Sequence, residues 1–144
     1  MKKHHLILLS LALALGFILS QQYASSVFFG ADTNTDQILL NAFNNKQSDL
    51  QVRGQGKTTR LLPDDLKGSK HQRFIVTLGN GLTLLVAHNI DLAPKIKTLS
   101  EGDLLEFFGE YEWSAKGGVI HWTHKDPAGR HVDGWLKHEG ITYE

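Results

Sequence analysis

Cysteine is absent from all 144 residues. Disulfides, thiolate metal ligands and the cysteine-linked lipid anchor of bacterial lipoproteins are therefore excluded, and the fold must be held by packing alone. Net charge is absent too, because 15 lysines and arginines offset 15 aspartates and glutamates. A dedicated polyanion binder needs a positive surplus, so nucleic acid is not supported as a partner, although a local basic patch is compatible with this balance. Signatures of known chemistry are also missing: the chain has no G-x-S-x-G elbow, P-loop, H-E-x-x-H helix or EF-hand loop. Nucleophilic catalysis thus has no named candidate. Metal-assisted hydrolysis stays open, since carboxylates, histidines and an arginine suit a phosphodiester. No internal repeat or low-complexity tract interrupts the chain.

What is present begins with a leader. The chain opens MKKHH, then LILLSLALALGFILS (6–20), then QQYASS. This is a basic n-region, an apolar h-region and a small-residue exit, with Ala24 and Ser26 placed for cleavage after Ser26. The apolar run is shorter than the ~20 residues a spanning helix needs. Residues 1–26 are therefore expected to be a signal peptide, with an uncleaved anchor as the alternative. The protein is expected to be exported, periplasmic or secreted, with no membrane span in the mature chain. Lys2 and Lys3 leave with the leader, so 13 basic residues face 15 acids and six histidines remain. A chain of that size buries roughly 65% of its unfolded surface, enough for a core.

Residues 27–49 read as a lead-in followed by an amphipathic helix in TDQILLNAFNNKQ (35–47), capped by Thr35, with Ile38, Leu39, Ala42 and Phe43 on one face. The domain proper is expected at 50–144. LQVRGQGKTTRLLPDD (50–65) alternates like a strand, and Gly54 and Gly56 suggest a bulge or bend in it. HQRFIVTLGNGLTLLVAH (71–88) is a hairpin around Asn80-Gly81, the pair preferred in a two-residue type I′ turn. That turn would put Arg73 directly opposite His88, and Phe74, Val76, Leu78, Leu85 and Ala87 on one face. DLAPKIKTLSEGD (91–103) carries Leu92, Ile96 and Leu99 at helical spacing and predicts a short helix. LLEFFGEYEWSAKGGVIHWTH (104–124) is a second hairpin. Its Leu105, Phe107, Tyr111 and Trp113 alternate with Glu106, Glu110 and Glu112, giving one core face and one acidic face. KDPAGR reads as a β-turn, and GWLKHEGITYE as a final strand or ribbon. The order of a glycine-broken strand, a hairpin, a helix and a hairpin predicts a mainly β, OB-fold-like five-stranded barrel with a short helix between strands 3 and 4 and an N-terminal helix.

The combination of LPDD, HQRF, AHNIDLAP, GEYEW, GGVIHWTH and GW, spread over roughly residues 48–144, resembles a family of short exported bacterial proteins catalogued only as a domain of unknown function (3465). The resemblance implies a bacterial envelope or secreted protein and supplies no reaction or substrate. In the family pattern, histidine often stands at Lys125 and asparagine at Ser114, so neither position is a candidate for an essential role.

The densest run of chemistry-bearing residues is HWTHKDPAGRH (121–131). His121 and His124 invite a zinc reading. On a strand, however, positions three apart point to opposite faces. His121 is therefore expected beside Glu110 or Glu112, and His124 with Trp122 on the core side. His124, Asp126 and His131 are expected to gather at the DPAGR turn, and they are the candidates for catalysis and for metal. Asp126 before Pro127 also serves as an ordinary turn former. A second cluster pairs Arg73 with His88, bridged by an anion that is either Asp64 or Asp65, or a ligand. In OB folds the ligand lies across strands 2 and 3, flanked by the loops between strands 1 and 2 and strands 4 and 5. Here those parts carry Asp64, Asp65, Lys67, Lys70, His71, Arg73, His88 and Lys116. The ligand-binding set is Asp64, Asp65, His71, Arg73, His88, Asp91 and Trp122. The HWTH strand is expected elsewhere on the barrel, which leaves open whether there is one site or two.

The leading functional reading is an exported domain that binds a small-molecule or oligomeric ligand through a His/Arg/Asp-rich surface. A second is a metal-dependent hydrolase, phosphodiesterase- or nuclease-like, using the same residues. A third is a structural or inhibitory partner of an envelope protein, with Trp113, Trp122 and Trp135 as contacts. A divalent metal is the one cofactor that the residue types suggest.

Overall fold

The computed structural model describes residues 33–144, so the expected signal peptide and most of the lead-in lie outside the described residues. Helix α1 (Thr33–Asn44) is followed by seven strands: β1 (Leu50–Asp65), β2 (His71–Thr77), β3 (Thr83–Asn89), β4 (Leu104–Glu112), β5 (Val119–His121), β6 (Trp135–His138) and β7 (Ile141–Tyr143). Among the described residues, no helix is long and apolar enough to cross a membrane.

β1 is long because it serves two neighbours. Its first half pairs with β4, from Leu50↔Tyr111 to Lys57↔Leu104, and its second half with β2, from Lys57↔Thr77 to Asp65↔His71. Its register irregularities lie between Thr58 and Arg60 and between Leu62 and Asp65, while the pairing with β4 runs unbroken across Gly54 and Gly56. Gly54 and Gly56 do a different job: a Cβ on Gly54 would lie 2.8 Å from the Phe107 ring, so the missing side chain makes room for the core. The ring closes through β2–β3, a parallel β3–β5 contact, β5–β4 and β4–β1. The protein is thus mainly β, with five strands closed on themselves and β6 and β7 added outside β4.

Strict alternation fills the ring. Phe74, Val76, Leu84, Val86, Leu105, Phe107, Tyr111 and Ile120 are all fully buried. Each such aliphatic or phenyl side chain contributes about 1.5–3 kcal/mol by leaving water. α1 begins two residues before the predicted Thr35, buries Leu39 and Ala42, and leaves Ile38 44% exposed. It is tied to the ring by Asn80 Nδ2 donating to the Asp36 carbonyl (2.7 Å) and by Trp113 Nε1 donating to the Phe43 carbonyl (3.0 Å).

Two sequence expectations are corrected. The stretch expected as a helix between the third and fourth strands is a series of turns. Of the residues that carried the helical signal, Ile96 and Leu99 are buried but Leu92 is 46% exposed, and Ala93 is buried in its place. The backbone groups a helix would use are taken by side chains, because Gln72 both donates to and accepts from Ile96 (2.9 Å each) and His88 Nε2 lies 3.1 Å from the Pro94 carbonyl. Pro94 has no N–H to give.

The first hairpin is also shifted by one residue from the predicted pairing. Thr77 pairs with Thr83, and Leu78 N–H donates to Leu82 O, leaving residues 79–81 as a three-residue loop with Gly81 at φ +86°. Gln72 therefore faces His88, and Arg73 faces Ala87. A one-residue slip exchanges the two faces of a strand pair. Accordingly Leu84, Val86 and His88 point inward, while Leu85 and Ala87 are only half-buried.

Candidate functional site

The acidic outer face of β4 meets β5 where the parity of the second hairpin requires. Glu110 pairs directly with His121, and Glu112 pairs one step away with Val119. His121 Nε2 stands 3.2 Å from Glu110 Oε1 and 3.8 Å from Glu112 Oε1. The contact with Glu110 is close in distance but not aligned as a hydrogen bond, so this buried nitrogen has no hydrogen-bond partner among the described residues. These three side chains can each offer one ligand atom, with all three atoms within 4.8 Å of one another.

β5 ends at His121 because Trp122 adopts φ +51°, a left-handed conformation rarely taken by a bulky residue. Such a conformation costs about 1–3 kcal/mol and persists only where the surroundings enforce it. Here Gly134 is packed behind it, close enough that a Cβ would lie 1.9 Å from the Trp122 carbonyl oxygen. Thr123, the next residue, is locked inside through its hydroxyl, 2.8 Å from His88 Nδ1. The turn aims the indole into a group of imidazoles. His131 stacks on it at 4.2 Å and 6°, while His124 and His121 lie at 5.4 and 6.3 Å.

The loop that presents His131 is built on Asp126, whose carboxylate accepts the backbone N–H groups of Ala128, Arg130 and His131. These bonds, led by Ala128, hold the Asp126 pKa below its ordinary value. His131 Nε2 lies 2.7 Å from Glu110 Oε2 and Nδ1 lies 2.9 Å from the Val132 carbonyl. Both ring nitrogens face acceptors, so both must donate, which makes the ring an imidazolium. Burial opposes that charge, but the Val132 carbonyl and the Glu110 carboxylate outweigh it and leave the His131 pKa raised.

A groove of about 380 Å³ opens beside this cluster, lined by Ser69, His71, Ala87, Asn89, Leu92, His121, Trp122 and His124. It exists because β5 lies against β3, with Leu85↔Val119 and Val86↔Ile120 paired. The HWTH segment therefore does not lie elsewhere on the ring. It shares one surface with the outer faces of β2 and β3.

The residues named from sequence are distributed as follows. His71, Trp122 and His124 line the groove. His71 Nδ1 is 2.8 Å from the Ser69 carbonyl and His124 Nδ1 is 2.7 Å from that of Lys125. Asp91 is not among the groove's lining residues; it accepts the Lys70 N–H at 2.8 Å, and that bond first of all lowers its pKa. Arg73 donates twice to the Pro63 carbonyl, Asp64 pairs with Lys95, and Asp65 accepts the Lys67 N–H. The expected Arg73–anion–His88 bridge is thus absent, because the register places the two side chains on opposite faces. His88 is fully buried; desolvation lowers its pKa to about 4, despite the Pro94 carbonyl bond that favours the proton. His124, Asp126 and His131 share a loop, but Asp126 is spent on the backbone while His131 reaches across to Glu110. Glu110, Glu112 and His121 were not among the named site residues. The signal that could have found them is the pair of alternate glutamates opposite a histidine in an even-parity hairpin.

Ring, groove and cluster together define a small mainly β domain with a histidine- and glutamate-bearing surface around one strained tryptophan. Residues 18–144 match the family described as Protein of unknown function (DUF3465), and the chain belongs to that family. A search among curated proteins returned no match.

Proposed function

We propose that the protein is an exported ligand-binding domain of the OB class that takes a small polar molecule in the groove beside Trp122. The strand order, closed through the β3–β5 and β1–β4 contacts, supports the fold assignment. The leader pattern in residues 1–26 supports export. The observation that carries the binding reading is the convergence of His71, Asn89, His121, Trp122 and His124, drawn from three strands and the turn after β5, on one concavity. Its volume of about 380 Å³ falls in the range of small-molecule sites. Ser69, Asn89 and the imidazoles supply hydrogen bonds, while Ala87 and Leu92 supply an apolar floor. A second groove of similar size, lined by Arg53, Trp135, Lys137, Thr142 and Glu144, is a weaker candidate. Its charges are already engaged: Arg53 and Lys137 with Glu106, Arg53 over the Trp135 ring, and Glu144 with Lys125.

The test is protein-observed NMR with a library of small polar fragments. Shifts clustered on Ser69, Ala87, Asn89 and the Trp122 indole, and lost in Asn89→Ala, are expected. Shifts confined to the Arg53–Trp135 groove, or scattered over the surface, would overturn the assignment. The second reading, a metal-dependent phosphodiesterase, is favoured by one observation: His121 belongs to both the groove and the carboxylate cluster. It requires metal-dependent cleavage of bis(p-nitrophenyl) phosphate that disappears in Glu112→Gln.

A further inference from the structure

We propose that Glu110, Glu112 and His121 form a binding site for one divalent transition-metal ion, zinc by donor type, and that His131 is its positioning residue. Three observations carry this. The first is spacing. Ligand atoms about 2.0–2.1 Å from a tetrahedral zinc stand roughly 3.3–3.5 Å apart. The His121 nitrogen already lies 3.2 and 3.8 Å from the two carboxylate oxygens. The second is the state of that nitrogen, which is buried beside two carboxylates yet hydrogen-bonded to neither. With no hydrogen bond of its own, that nitrogen is placed to offer a lone pair to an ion.

The third is charge. Glu106, on the same face of β4, is flanked by Arg53 and Lys137 at 3.7 and 3.4 Å. Among the described residues, no lysine or arginine lies within ion-pair distance of Glu110 or Glu112, whose close neighbours are the imidazole nitrogens of His121 and His131. Glu110 and Glu112 thus place two carboxylates together with no fixed cation beside them, and a divalent ion would offset that charge. His131, donating to Glu110 Oε2 at 2.7 Å, turns the other oxygen, Oε1, toward His121. Outer partners of this kind fix the orientation of a ligating carboxylate. With three protein ligands, a bound ion keeps a position open, as catalytic rather than structural zinc sites do. The site does not depend on the groove taking a ligand.

The experiment is zinc titration of the chelator-treated full chain in competition with a chromophoric chelator, with His4→Ala and His5→Ala introduced so that the leader histidines do not contribute. One zinc per chain is expected. Glu112→Gln, which is isosteric on the outer face and should fold, and His121→Ala should each weaken binding by ~10-fold or more, and His131→Gln by less. Glu106→Gln and His124→Ala should leave affinity unchanged. X-ray absorption should show nitrogen and oxygen ligands at ~2.0–2.1 Å. The proposal is overturned if wild type binds no stoichiometric zinc. It is equally overturned if binding survives Glu112→Gln and His121→Ala, or if Glu106→Gln lowers it as much. Fragment binding to the zinc-free protein reports on the groove separately, so the two readings fail independently.

Discussion

Acidification from pH 7 to pH 4 should destabilise the protein through one buried side chain, His88. Its ring is fully enclosed, with Nδ1 2.8 Å from the Thr123 hydroxyl and Nε2 3.1 Å from the Pro94 carbonyl. A carbonyl can only accept, so Nε2 carries the proton and Nδ1 accepts from Thr123, the arrangement of a neutral imidazole. Charging the ring would place a cation in a desolvated site near His124 and His71, and the Thr123 hydroxyl, which can rotate to accept, offsets only part of that cost. The folded-state pKa is accordingly lowered from 6.5 to about 4. As pH falls below 6.5, the unfolded chain takes up the proton and the folded chain does not, so stability declines until pH passes about 4. At 1.36 kcal/mol per pH unit the loss is about 3 kcal/mol, a large part of the stability of a small domain. Urea unfolding of wild type and His88→Gln at several pH values isolates it. Glutamine cannot titrate, so the stability difference between the two should narrow by about 3 kcal/mol from pH 7 to pH 4. Contributions from other groups cancel in that difference. A His88 ring resonance titrating near 6.5, or a difference that is flat with pH, would refute the reasoning.

Other consequences follow from single contacts. Gln72→Leu leaves both the N–H and the carbonyl of Ile96 buried and unpaired, and should cost about 2–4 kcal/mol by urea denaturation, with faster amide exchange at Ile96. Gly134→Ala places a methyl group 1.9 Å from the Trp122 carbonyl oxygen and 2.6 Å from that of Phe108. Since neither backbone can move freely, the variant should lose about 3 kcal/mol or more and disperse the Trp122 indole signal. Asp126→Asn should lower the melting temperature and mobilise residues 126–131 in NMR relaxation, because an amide nitrogen replaces one of the two carboxylate oxygens and cannot accept the backbone donors that oxygen held. His131 has the opposite sign to His88. With its pKa raised, its stabilisation is complete below 6.5 and is lost as pH rises through the folded value, so His131→Gln in chelator should lower the melting temperature more at pH 6 than at pH 9.

Local alternation was the most legible part of the fold. The β4 pattern placed Leu105, Phe107 and Tyr111 inside and the glutamates outside, and it set His121 beside Glu110. That inference survives because the loop between Glu112 and Val119 holds an even number of residues, and side-chain parity depends only on that. The first hairpin shows the converse. Asn80-Gly81 fits a two-residue turn and a three-residue loop equally well, since both need a residue at positive φ near the tip. A difference of one residue moved His88 from an expected ligand surface to the centre of the protein and separated it from Arg73. The turns after β3 were illegible for a related reason. Burying Ala93, Ile96 and Leu99 requires only that they face the core, and Gln72 satisfies the Ile96 backbone as well as another turn of helix would.

The site was legible in its residue types and not in its grouping. Six histidines signalled a functional surface, but a neutral imidazole with two partners is also a good core residue. His88 and His138 are buried in the core, the latter with Nε2 2.9 Å from Asp103 Oδ2, and His124, though it lines the groove, is only 4% exposed. What brings the remaining four histidines onto one surface is a long-range event, the parallel contact of β5 with β3. Hairpin signals specify which strand lies on one edge of β5, but its other edge is chosen by closure of the whole ring. That closure carries HWTH beside Ala87 and Asn89, so the two surfaces that looked separate along the chain meet at His121. This residue belongs at once to the groove and to the carboxylate cluster. An ion held by Glu110 and Glu112 would therefore border the groove through His121, and the grooved surface and the proposed metal site would be neighbours through one shared side chain.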